Sequence, residues 1–555
     1  MIFYIGKIQA GQQINKRTQI LIILLIGATV LPAIHVFPAN AAENTSDSWS
    51  TMTPMPTARG DFGVAVVNEK IFAIGGLNGD GLPLSTTEEY NPQTNQWAIK
   101  TPMPTPRSGF ALAVYLGKIY VIGGTVGNGF VGNNEVYDPV SNTWEPKTSM
   151  PTPRADLYAN IVNDKIYLIG GKKYSSTNPF FNETNINEVY DPANDSWTTK
   201  TPIPTPVSGY DSTVANDKIY IIGGAVRSVS QGNAITTNAN QVYNPQTDNW
   251  SLATKLPYVN SYGAAAATEG FLAPARIYCI GGYYGGEITG RTVAYNIENK
   301  SWSTVEPMPT PRAYLGMVEI SDVLYCIGGF DGAKWLDVNE QYKPVGYGTV
   351  APKVQITSPE NKTYAVVSLD FTVNRGTEWM GYSLDNRANT TILSETKLSG
   401  LSQGAHNVTI YANDSLGNMG SSNTVFFSVD TLPPTIEILL PQNQSYDSTD
   451  IQLTFSVNEN VSSLAYSLDG QEKQEIAGNV TLPALTNGPH SIMLFATDEL
   501  GNSAEKSVSF NISPFPILSL VAVIAIITIV LAAGYLFIKR KKPGSGKEPQ
   551  KISGS

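Results

Sequence analysis

The residues best suited to chemistry in this chain are arginines and tyrosines that recur at one place in a repeated pattern. Four arginines close a Met-Pro-Thr-x-Arg turn, namely Arg59, Arg107, Arg154 and Arg312. A guanidinium offers a forked pair of donors and tyrosine a flat stacking face, so such residues together could hold a carboxylate or a sugar. The repeated arginines could equally tie adjacent repeats together inside the fold. The sequence leaves both interpretations open.

Histidine is missing from residues 42–348, which limits the reactions available to this part of the chain. Copper centres of the oxidase kind need imidazole ligands, and zinc centres or nucleophilic triads usually use them. We therefore expect no catalytic residues, no metal and no cofactor, and we expect a binding protein rather than an enzyme. The formal net charge of −10 and pI near 5.0 give no reason to expect nucleic acid as a partner.

The elements that must position these residues form a repeat of about 50 residues. Each unit contains a short apolar run rich in β-branched residues, which predicts a buried strand and an all-β fold. A glycine pair follows each run, at Gly75, Gly76, Gly123, Gly124, Gly170, Gly171, Gly223, Gly224, Gly281, Gly282, Gly328 and Gly329. A tyrosine follows, and a tryptophan stands seven residues later in five units, at Trp97, Trp144, Trp197, Trp250 and Trp302.

This spacing resembles the kelch motif, and the resemblance covers about residues 45–348. It implies a six-bladed β-propeller at 42–348, in which the glycines let backbones approach closely and the aromatic rings fill the space between blades. The sixth unit has Thr349 where its tryptophan belongs, whereas Trp49 has no blade of its own ahead of it. We therefore expect the strand around Trp49 to complete the last blade. Cys279 and Cys326 occupy equivalent core positions, and they are expected to be small buried residues, with a bridge between repeats as the alternative.

The resemblance to kelch binders also implies which residues face a ligand. Those after the Pro-Arg turn and after the glycine pair would line the pocket: Arg59, Asp61, Arg107, Ser108, Arg154, Asp156, Lys172, Tyr210, Tyr262, Tyr283, Arg312, Tyr314 and Asp331. The implied function is recognition of an extracellular protein or glycan. The alternative is a surface enzyme that modifies sugars, similar to the sialic-acid mutarotases, which are secreted six-bladed kelch proteins.

An 84-residue repeat follows the propeller, at 349–430 and 431–514. Tyr382-Ser383-Leu384-Asp385 matches Tyr466-Ser467-Leu468-Asp469, and His406 matches His490. Both units resemble the Ig-like or fibronectin-like modules of prokaryotic, especially archaeal, surface proteins. Each has an Asp…Gly-Asn turn with too few carboxylates for a calcium loop, so a hairpin turn is expected. The pair would act as a spacer.

The ends of the chain predict its location. Residues 1–41 have the basic and apolar segments of a secretory signal, with an uncleaved anchor as the alternative. Residues 515–538 are apolar and long enough to cross a membrane as a helix, and the basic residues of 539–555 place that tail in the cytoplasm. The intervening domains would then be extracellular. Candidate glycosylation sites include Asn182, Asn194, Asn361, Asn407, Asn443 and Asn511.

Overall fold

The computed structural model describes residues 47–127, 129–174, 181–227, 234–513 and 517–539. The predicted signal at 1–41 and nearly all of the predicted tail at 539–555 lie outside these residues. Within the described chain, contacts separate two compact units, with the boundary between Val350 and Ala351.

The first unit contains six four-stranded antiparallel sheets among its described residues, here called blades one to six in the order of the chain. In blades one to five, the four strands lie side by side in the order of the chain, beginning with the innermost. Their strands are Gly63–Val67, Lys70–Ile74, Thr87–Asn91 and Gln96–Lys100; Ala111–Tyr115, Lys118–Ile122, Asn134–Asp138 and Thr143–Lys147; Ala159–Val162, Lys165–Ile169, Asn187–Asp191 and Ser196–Thr199; Asp211–Ala215, Lys218–Ile222, Asn240–Asn244 and Asn249–Leu252; Ala264–Ala267, Arg276–Ile280, Thr292–Asn296 and Ser301–Val305.

The sixth blade is built from both ends of this unit. Its strands are Gly316–Ile320, Val323–Ile327, Asn339–Lys343 and, from the other end, Ser48–Thr51. Trp49 lies opposite Tyr342, and its indole Nε1 donates a hydrogen bond to the carbonyl of Glu306 at 3.0 Å. Tyr342 donates its hydroxyl hydrogen to Asp47 at 2.7 Å. The two ends of the repeat region therefore meet in one sheet.

Hydrophobic cores lie between neighbouring blades rather than inside single sheets. Phe72 and Ile74 of blade one pack with Ile119 and Val121 of blade two, and a corresponding cluster occupies each later junction. The last junction joins Ile71 of blade one to residues of blade six. One small sheet cannot bury both faces alone, so its stability depends on its two neighbours. The buried, free cysteines Cys279 and Cys326 belong to these cores, and no bridge joins them.

The tryptophans and the glycine pairs also connect neighbouring blades. The tryptophans do so through hydrogen bonds, and the glycines allow the backbones to approach closely. Trp97, for example, donates Nε1 to the carbonyl of Thr53 at 2.9 Å, and the same contact to a preceding segment is made by Trp144, Trp197, Trp250 and Trp302. All twelve glycines have positive φ, from 59° to 108°. A Cβ on Gly223 would lie 2.5 Å from the carbonyl oxygen of Asn260, so these close approaches require glycine.

Short hairpins extend four blades beyond the glycine pairs. Their strands are Thr125–Val126 and Gly129–Phe130, Lys172–Tyr174 and Phe181–Glu183, Ala225–Arg227 and Ala234–Thr236, and Tyr283–Tyr284 and Glu287–Ile288.

The second unit contains two modules that repeat one topology, each with a three-stranded sheet and a larger sheet around a shared core. The first has Val354–Ser358, Val367–Val373 and Thr396–Leu398 in the small sheet, and Thr363–Tyr364, Val425–Val429, Gly404–Asn413, Trp379–Leu384, Thr390–Thr391 and Met419–Ser421 in the large one. The second has Ile436–Leu440, Ile451–Val457 and Val480–Leu482, and Ser445–Tyr446, Ser503–Ile512, Gly488–Asp498, Val461–Leu468 and Gln474–Glu475.

A helix at Ile517–Lys539 follows the second module. Its segment Val521–Lys539 has a mean hydropathy of 2.8 and is not buried by the described chain. By length and composition, this helix is able to cross a membrane.

Candidate functional site

Six residues with left-handed backbone stand at equivalent places in the six blades. Each lies two or three residues before the innermost strand: Asp61 (φ 56°), Gly109 (60°), Asp156 (54°), Gly209 (53°), Tyr262 (55°) and Tyr314 (54°). Only glycine, and to a lesser degree asparagine and aspartate, adopts this conformation at little cost. We call these six residues the ring positions.

The ring positions are joined by a closed circle of backbone hydrogen bonds. Gly109 donates its N–H to the carbonyl of Asp61 at 3.0 Å, and Asp156 donates to Gly109 at 2.8 Å. The pattern continues with distances of 2.7–3.0 Å until Asp61 donates to Tyr314 and closes the circle. The first and last blades are thus connected at this level as firmly as any other pair.

A second circle uses the glycine pairs. The second glycine of each pair donates to the residue at the arginine position of the next blade, as Gly76 does to the carbonyl of Arg107 at 3.0 Å and Gly329 to that of Arg59 at 2.9 Å. The first circle fixes the backbone of the ring positions, and the second fixes the residues two positions before them. Non-glycine residues held in the left-handed region cost roughly 1–3 kcal/mol each, and such strain concentrates where function requires a fixed geometry.

A cavity of about 50 Å³ opens where the ring positions converge. Its walls combine acidic, aromatic and glycine residues: Asp61, Phe62, Gly109, Phe110, Asp156, Leu157, Tyr158, Gly209, Tyr262, Tyr314 and Leu315. A water needs roughly 10–15 Å³ of such space, so the cavity accommodates only a few small groups.

Lys172 neutralises one of the two carboxylates. The bridge between Ala155 and Lys172 places the lysine beside Asp156, and Lys172 Nζ lies 2.8 Å from Asp156 Oδ2. The same ammonium donates to the Tyr262 hydroxyl at 2.6 Å, and that hydroxyl is 3.2 Å from Asp156 Oδ2. Although burial opposes it, the charge of Asp156 helps to raise the pKa of Lys172 above its ordinary value. Lys172 therefore stays charged at neutral pH.

Asp61 is different, because among the described residues no lysine, arginine or histidine forms an ion pair with it. Burial, followed by the negative charge of Asp156, raises the pKa of Asp61 to about 8. A hydrogen bond with Ser108 and the more distant charge of Lys172 only partly oppose this shift. Near neutral pH the Asp61 carboxyl group is therefore mostly protonated. A cation placed beside it would lower its pKa and release the proton.

Tyrosines form one wall of the site. The rings of Tyr262 and Tyr314 lie 4.5 Å apart, and Tyr283 lies 6.0 Å from Tyr314 in an edge contact. Burial raises the pKa of Tyr262 and Tyr314 well above the ordinary range, so both hydroxyls remain neutral. This wall offers ring faces and hydroxyl groups to a ligand.

The four arginines do not take part, which corrects the expectation that they line the ligand face. The side chains of Arg59, Arg107, Arg154 and Arg312 are completely buried. Each forms an ion pair inside its own blade, with Glu88, Glu135, Glu188 and Glu340 respectively. Each also donates to a carbonyl of the second strand, as Arg107 does to Val121 at 2.8 Å. They secure the turn to its own blade rather than joining blades or holding a ligand.

Three further predicted residues also lie apart from the cavity. The Tyr210 side chain is fully buried and donates its hydroxyl hydrogen to the carbonyl of Ile169. Ser108 is buried and lies 3.1 Å from Thr125 Oγ1, although it also supports Asp61. Asp331 accepts backbone hydrogen bonds from Ala333 and Lys334 at 2.8 Å and thereby caps a turn. The predicted residues that the structure does bring together are Asp61, Asp156, Lys172, Tyr262 and Tyr314, with Tyr283 beside them.

Sequence reasoning missed the glutamate partners and the cavity walls. A glutamate stands two residues before the repeat tyrosine in the four units that have the arginine, whereas the other two units have Gln241 and Val293. This correlated pair is a detectable signal of an internal ion pair. The walls formed by Phe62, Phe110 and Tyr158 follow the ring positions by one or two residues, and the alternation of aspartate with glycine at those positions was the available signal of a left-handed backbone.

Both histidines of the second unit have structural partners. His406 Nδ1 lies 2.9 Å from Asp385 Oδ2, and His490 Nδ1 lies 2.7 Å from Asp469 Oδ2. The Asp…Gly-Asn turns are closed by their own aspartates, as Asp414 accepts from the backbone of Leu416 and Asn418 at 3.0 Å. Among the described residues, one cluster of three carboxylates, Asp430, Glu459 and Asp498, has oxygens within 4.8 Å of one another.

The candidate glycosylation sites differ in exposure. Asn194, Asn361 and Asn443 are exposed, whereas Asn182, Asn407 and Asn511 are partly buried in strands. Of the six asparagines, the exposed three are the most accessible to solvent.

Comparison with known proteins identifies the repeat. Residues 27–224 and 145–329 match the KLHDC2/KLHL20/DRC7 Kelch-repeats domain, and together they span more than half of the 555 residues. Similar curated proteins include Kelch-like protein terF of Aspergillus terreus (30% identical over 153 residues, 26% of this chain and 32% of that protein) and Kelch domain-containing protein SSO1033 of Saccharolobus solfataricus (23% over 345 residues, 59% and 46%).

The human Kelch-like protein 23 is 29% identical over 162 residues, which are 28% of this chain and 26% of that protein. The chain thus spans between about a quarter and a half of these relatives. The solved structure of YjhT matches with a TM-score of 0.43 at 18% identity, over 52% of this chain and 96% of that chain.

Proposed function

Because the chain belongs to the kelch-repeat domain family, we propose that it is a surface binding protein anchored by one helix, whose propeller recognises a protein or a glycan outside the cell. The observation that carries this proposal is the cavity at the ring positions. Its polar groups are held by two closed circles of hydrogen bonds. A rigid backbone that presents convergent side chains reduces the entropy lost when a partner binds.

The rest of the chain supports presentation outside the cell. The helix Ile517–Lys539 has the length and hydropathy of a membrane anchor, and Lys539-Arg540-Lys541-Lys542 at its end has the charge of a cytoplasmic flank. We interpret the modules at 349–430 and 431–514 as Ig-like or fibronectin-like spacers of the kind found on archaeal surfaces. Residues 1–41 would direct secretion, and the exposed sequon asparagines would carry glycans.

The alternative, a surface enzyme similar to the sialic-acid mutarotases, has less support. The cavity of about 50 Å³ is lined by two carboxylates, Asp61 and Asp156, which repel the carboxylate of an acidic sugar. The propeller also lacks histidine, the side chain that most often transfers protons at neutral pH. We therefore propose that the protein binds its ligand without converting it.

The test uses the full chain reconstituted in lipid nanodiscs. Saturable binding to a glycan array or to purified surface proteins, lost in the variant Tyr314→Asn, supports the proposal. Asparagine tolerates the left-handed conformation at this ring position while removing the aromatic ring. NMR measurement of anomer exchange with acidic sugars is the opposing readout. Catalysed exchange that Tyr314→Asn abolishes would replace the binding proposal with the enzymatic one.

Orientation is tested separately. In intact cells, external protease should remove the propeller while sparing an epitope attached to the C-terminus. In inverted vesicles, the same protease should remove the epitope and spare the propeller. The reverse pattern would contradict the proposed topology.

A further inference from the structure

Two carboxylates converge on one point of the cavity. A Cβ built on Gly109 would lie 2.9 Å from Asp156 Oδ1 and 3.3 Å from Asp61 Oδ2. Because glycine has no side chain, both carboxylates approach this residue closely from the two neighbouring ring positions, and all three residues line the cavity. Lys172 contacts the other oxygen of Asp156, Oδ2, and so leaves Oδ1 available.

The charge of this point is unbalanced. Asp61 and Asp156 together carry two negative charges when ionised, and among the described residues Lys172 is the single cation in ion-pair contact with either of them. Like charges so close to each other cannot both ionise readily without a further cation. The cavity is therefore suited to one additional positive charge.

The protein already shows how an ammonium group is bound at this site. Lys172 Nζ donates to the Asp156 carboxylate and to the Tyr262 hydroxyl, and it lies 5.3 Å from the centre of the Tyr262 ring. Cations are attracted to the faces of aromatic rings by the ring quadrupole. Phe62, Phe110, Tyr158 and Tyr314 extend the aromatic wall around the rest of the cavity.

We propose that the cavity beside Gly109 binds an alkylammonium group, the side chain of a lysine on a partner protein, and that the carboxylates of Asp61 and Asp156 hold it. The small cavity admits the ammonium and its last methylene groups, and the aromatic residues surround the stem. This inference rests on the proposed binding function and specifies the chemistry of the ligand.

The binding of such a group depends on pH. Asp61 must release its proton before it can pair with the ammonium, so affinity should rise between about pH 6 and pH 8 and then level off. The other groups that face Asp61 are Asp156, Lys172, Tyr158, Tyr262 and Tyr314, and the raised pKa of Lys172 and of the tyrosines keeps their charges constant over this range.

The experiment titrates n-pentylammonium, and a short acetylated glycine peptide with one central lysine, into the full chain in nanodiscs by calorimetry. Twin peptides with norleucine or glutamate in place of lysine serve as ligand controls. We expect binding of n-pentylammonium and of the lysine peptide alone, with release of about one proton per ligand at neutral pH. Asp61→Asn should weaken it by more than about tenfold and remove its pH dependence.

The matched protein control is Asp80→Asn, because Asp80 is exposed on the same blade and lies outside the cavity. It should bind as the native protein does. Asparagine is accepted in the left-handed region, so Asp61→Asn should fold, and an unchanged melting curve verifies this. Equal binding of the norleucine peptide, or unchanged binding by Asp61→Asn, would overturn the proposal.

Two further arms separate other ligands. If glucosamine binds and the lysine peptide does not, the ligand is an amino sugar. If Ca²⁺ alone binds through Asp61 and excludes n-pentylammonium, the cavity is a metal site. Either result rejects the proposal that a lysine side chain is bound. If Asp61→Asn keeps the partner or glycan binding that Tyr314→Asn loses, the proposed function stands and this inference fails. If no partner or glycan binds the native protein, the proposed function itself fails.

Discussion

Arg107 and Glu135 form an ion pair inside the second blade, with Arg107 Nη1 2.5 Å from Glu135 Oε2 and the arginine fully buried. Thr105 donates its hydroxyl hydrogen to the other carboxylate oxygen, so one glutamate holds both ends of the turn. Desolvation by burial lowers the pKa of Arg107, and the charge of Glu135 opposes that shift. Each of the two buried charges is therefore stabilised by the other.

Removing one member should be far worse than replacing both. We expect Arg107→Val to lower the free energy of unfolding of the propeller by about 3–5 kcal/mol, because Glu135 is left as an unpaired buried charge. The double variant Arg107→Val with Glu135→Gln should recover most of this loss. Blade four uses that combination naturally, with Val207 beside Gln241, whose side chain accepts from the Thr205 backbone at 2.9 Å.

Urea denaturation followed by tryptophan fluorescence measures this, because seven of the eight tryptophans lie before residue 350. The same pair of substitutions at Arg312 and Glu340 provides an independent repetition in blade six. A double variant no more stable than the single one would show that the loss comes from packing of the arginine stem and not from the orphaned charge.

These arginines also show where sequence reasoning fails. Repetition identifies a residue as part of the blade, but inward and ligand-facing positions repeat with the same period. The arginine at 59, 107, 154 or 312 was therefore ambiguous until its glutamate partner was considered. The kelch-type repeat itself was predictable, since the glycine pairs and the tyrosine–tryptophan spacing leave no other periodic arrangement.

The cavity could be predicted in part. Asp61, Asp156, Tyr262 and Tyr314 share one position in the repeat, and closing the ring brings equivalent positions together. Their mutual geometry could not be predicted, because it depends on contacts between blades, such as the one from Lys172 of blade three to Tyr262 of blade five. In the sequence, the only sign of the left-handed φ at the six ring positions was that aspartate, glycine and tyrosine occur there.

Gly209 provides a test of the ring. A Cβ at this residue would lie 2.5 Å from Cε1 of Tyr262, so Gly209→Ala should lower the free energy of unfolding by about 2–4 kcal/mol and displace the Tyr262 ring from Lys172. Gly117→Ala is the control, because Gly117 also has positive φ but open space around it, and it should cost about 1 kcal/mol. Equal losses in the two variants would mean that backbone strain alone, and not the Tyr262 contact, accounts for the effect.

Trp49 tests the joint between the two ends of the propeller. Trp49→Ala removes the indole that lies 4.8 Å from the Tyr342 ring and donates a hydrogen bond to Glu306. Its strand, Ser48–Thr51, is not joined to the rest of blade six by a turn, so non-covalent contacts alone hold it in the sheet. We expect faster hydrogen exchange throughout Asn339–Lys343 and in blade one, because opening this strand exposes both sides of the joint.

Trp97→Ala is the matched control, since Trp97 makes the equivalent hydrogen bond and packs 5.0 Å from Tyr90 in a blade of continuous chain. Its effect should not extend throughout Thr87–Asn91 or into blade two, which are the counterparts of Asn339–Lys343 and blade one. Exchange that increases equally far from either substitution would contradict a weak point at the joint.

The two histidines predict that the second unit loses stability as pH rises. In His406, Nε2 faces the carbonyl of Ser402 and Nδ1 faces Asp385, so both nitrogens need a proton. These hydrogen bonds raise the pKa of His406 above its value in the unfolded chain. The carbonyl of Thr486 and the carboxylate of Asp469 raise the pKa of His490 in the same way. A raised folded pKa gives stability that is fully present below about pH 6.5 and is lost as pH increases through the folded value. Hydrogen-exchange protection factors for Gly404–Asn413 and Gly488–Asp498, which exclude the intrinsic pH dependence of exchange, should therefore fall from about pH 6 to about pH 9. The double variant His406→Gln with His490→Gln should lack this fall, and a native chain with constant protection over the same range would show that the imidazoles are neutral in the fold.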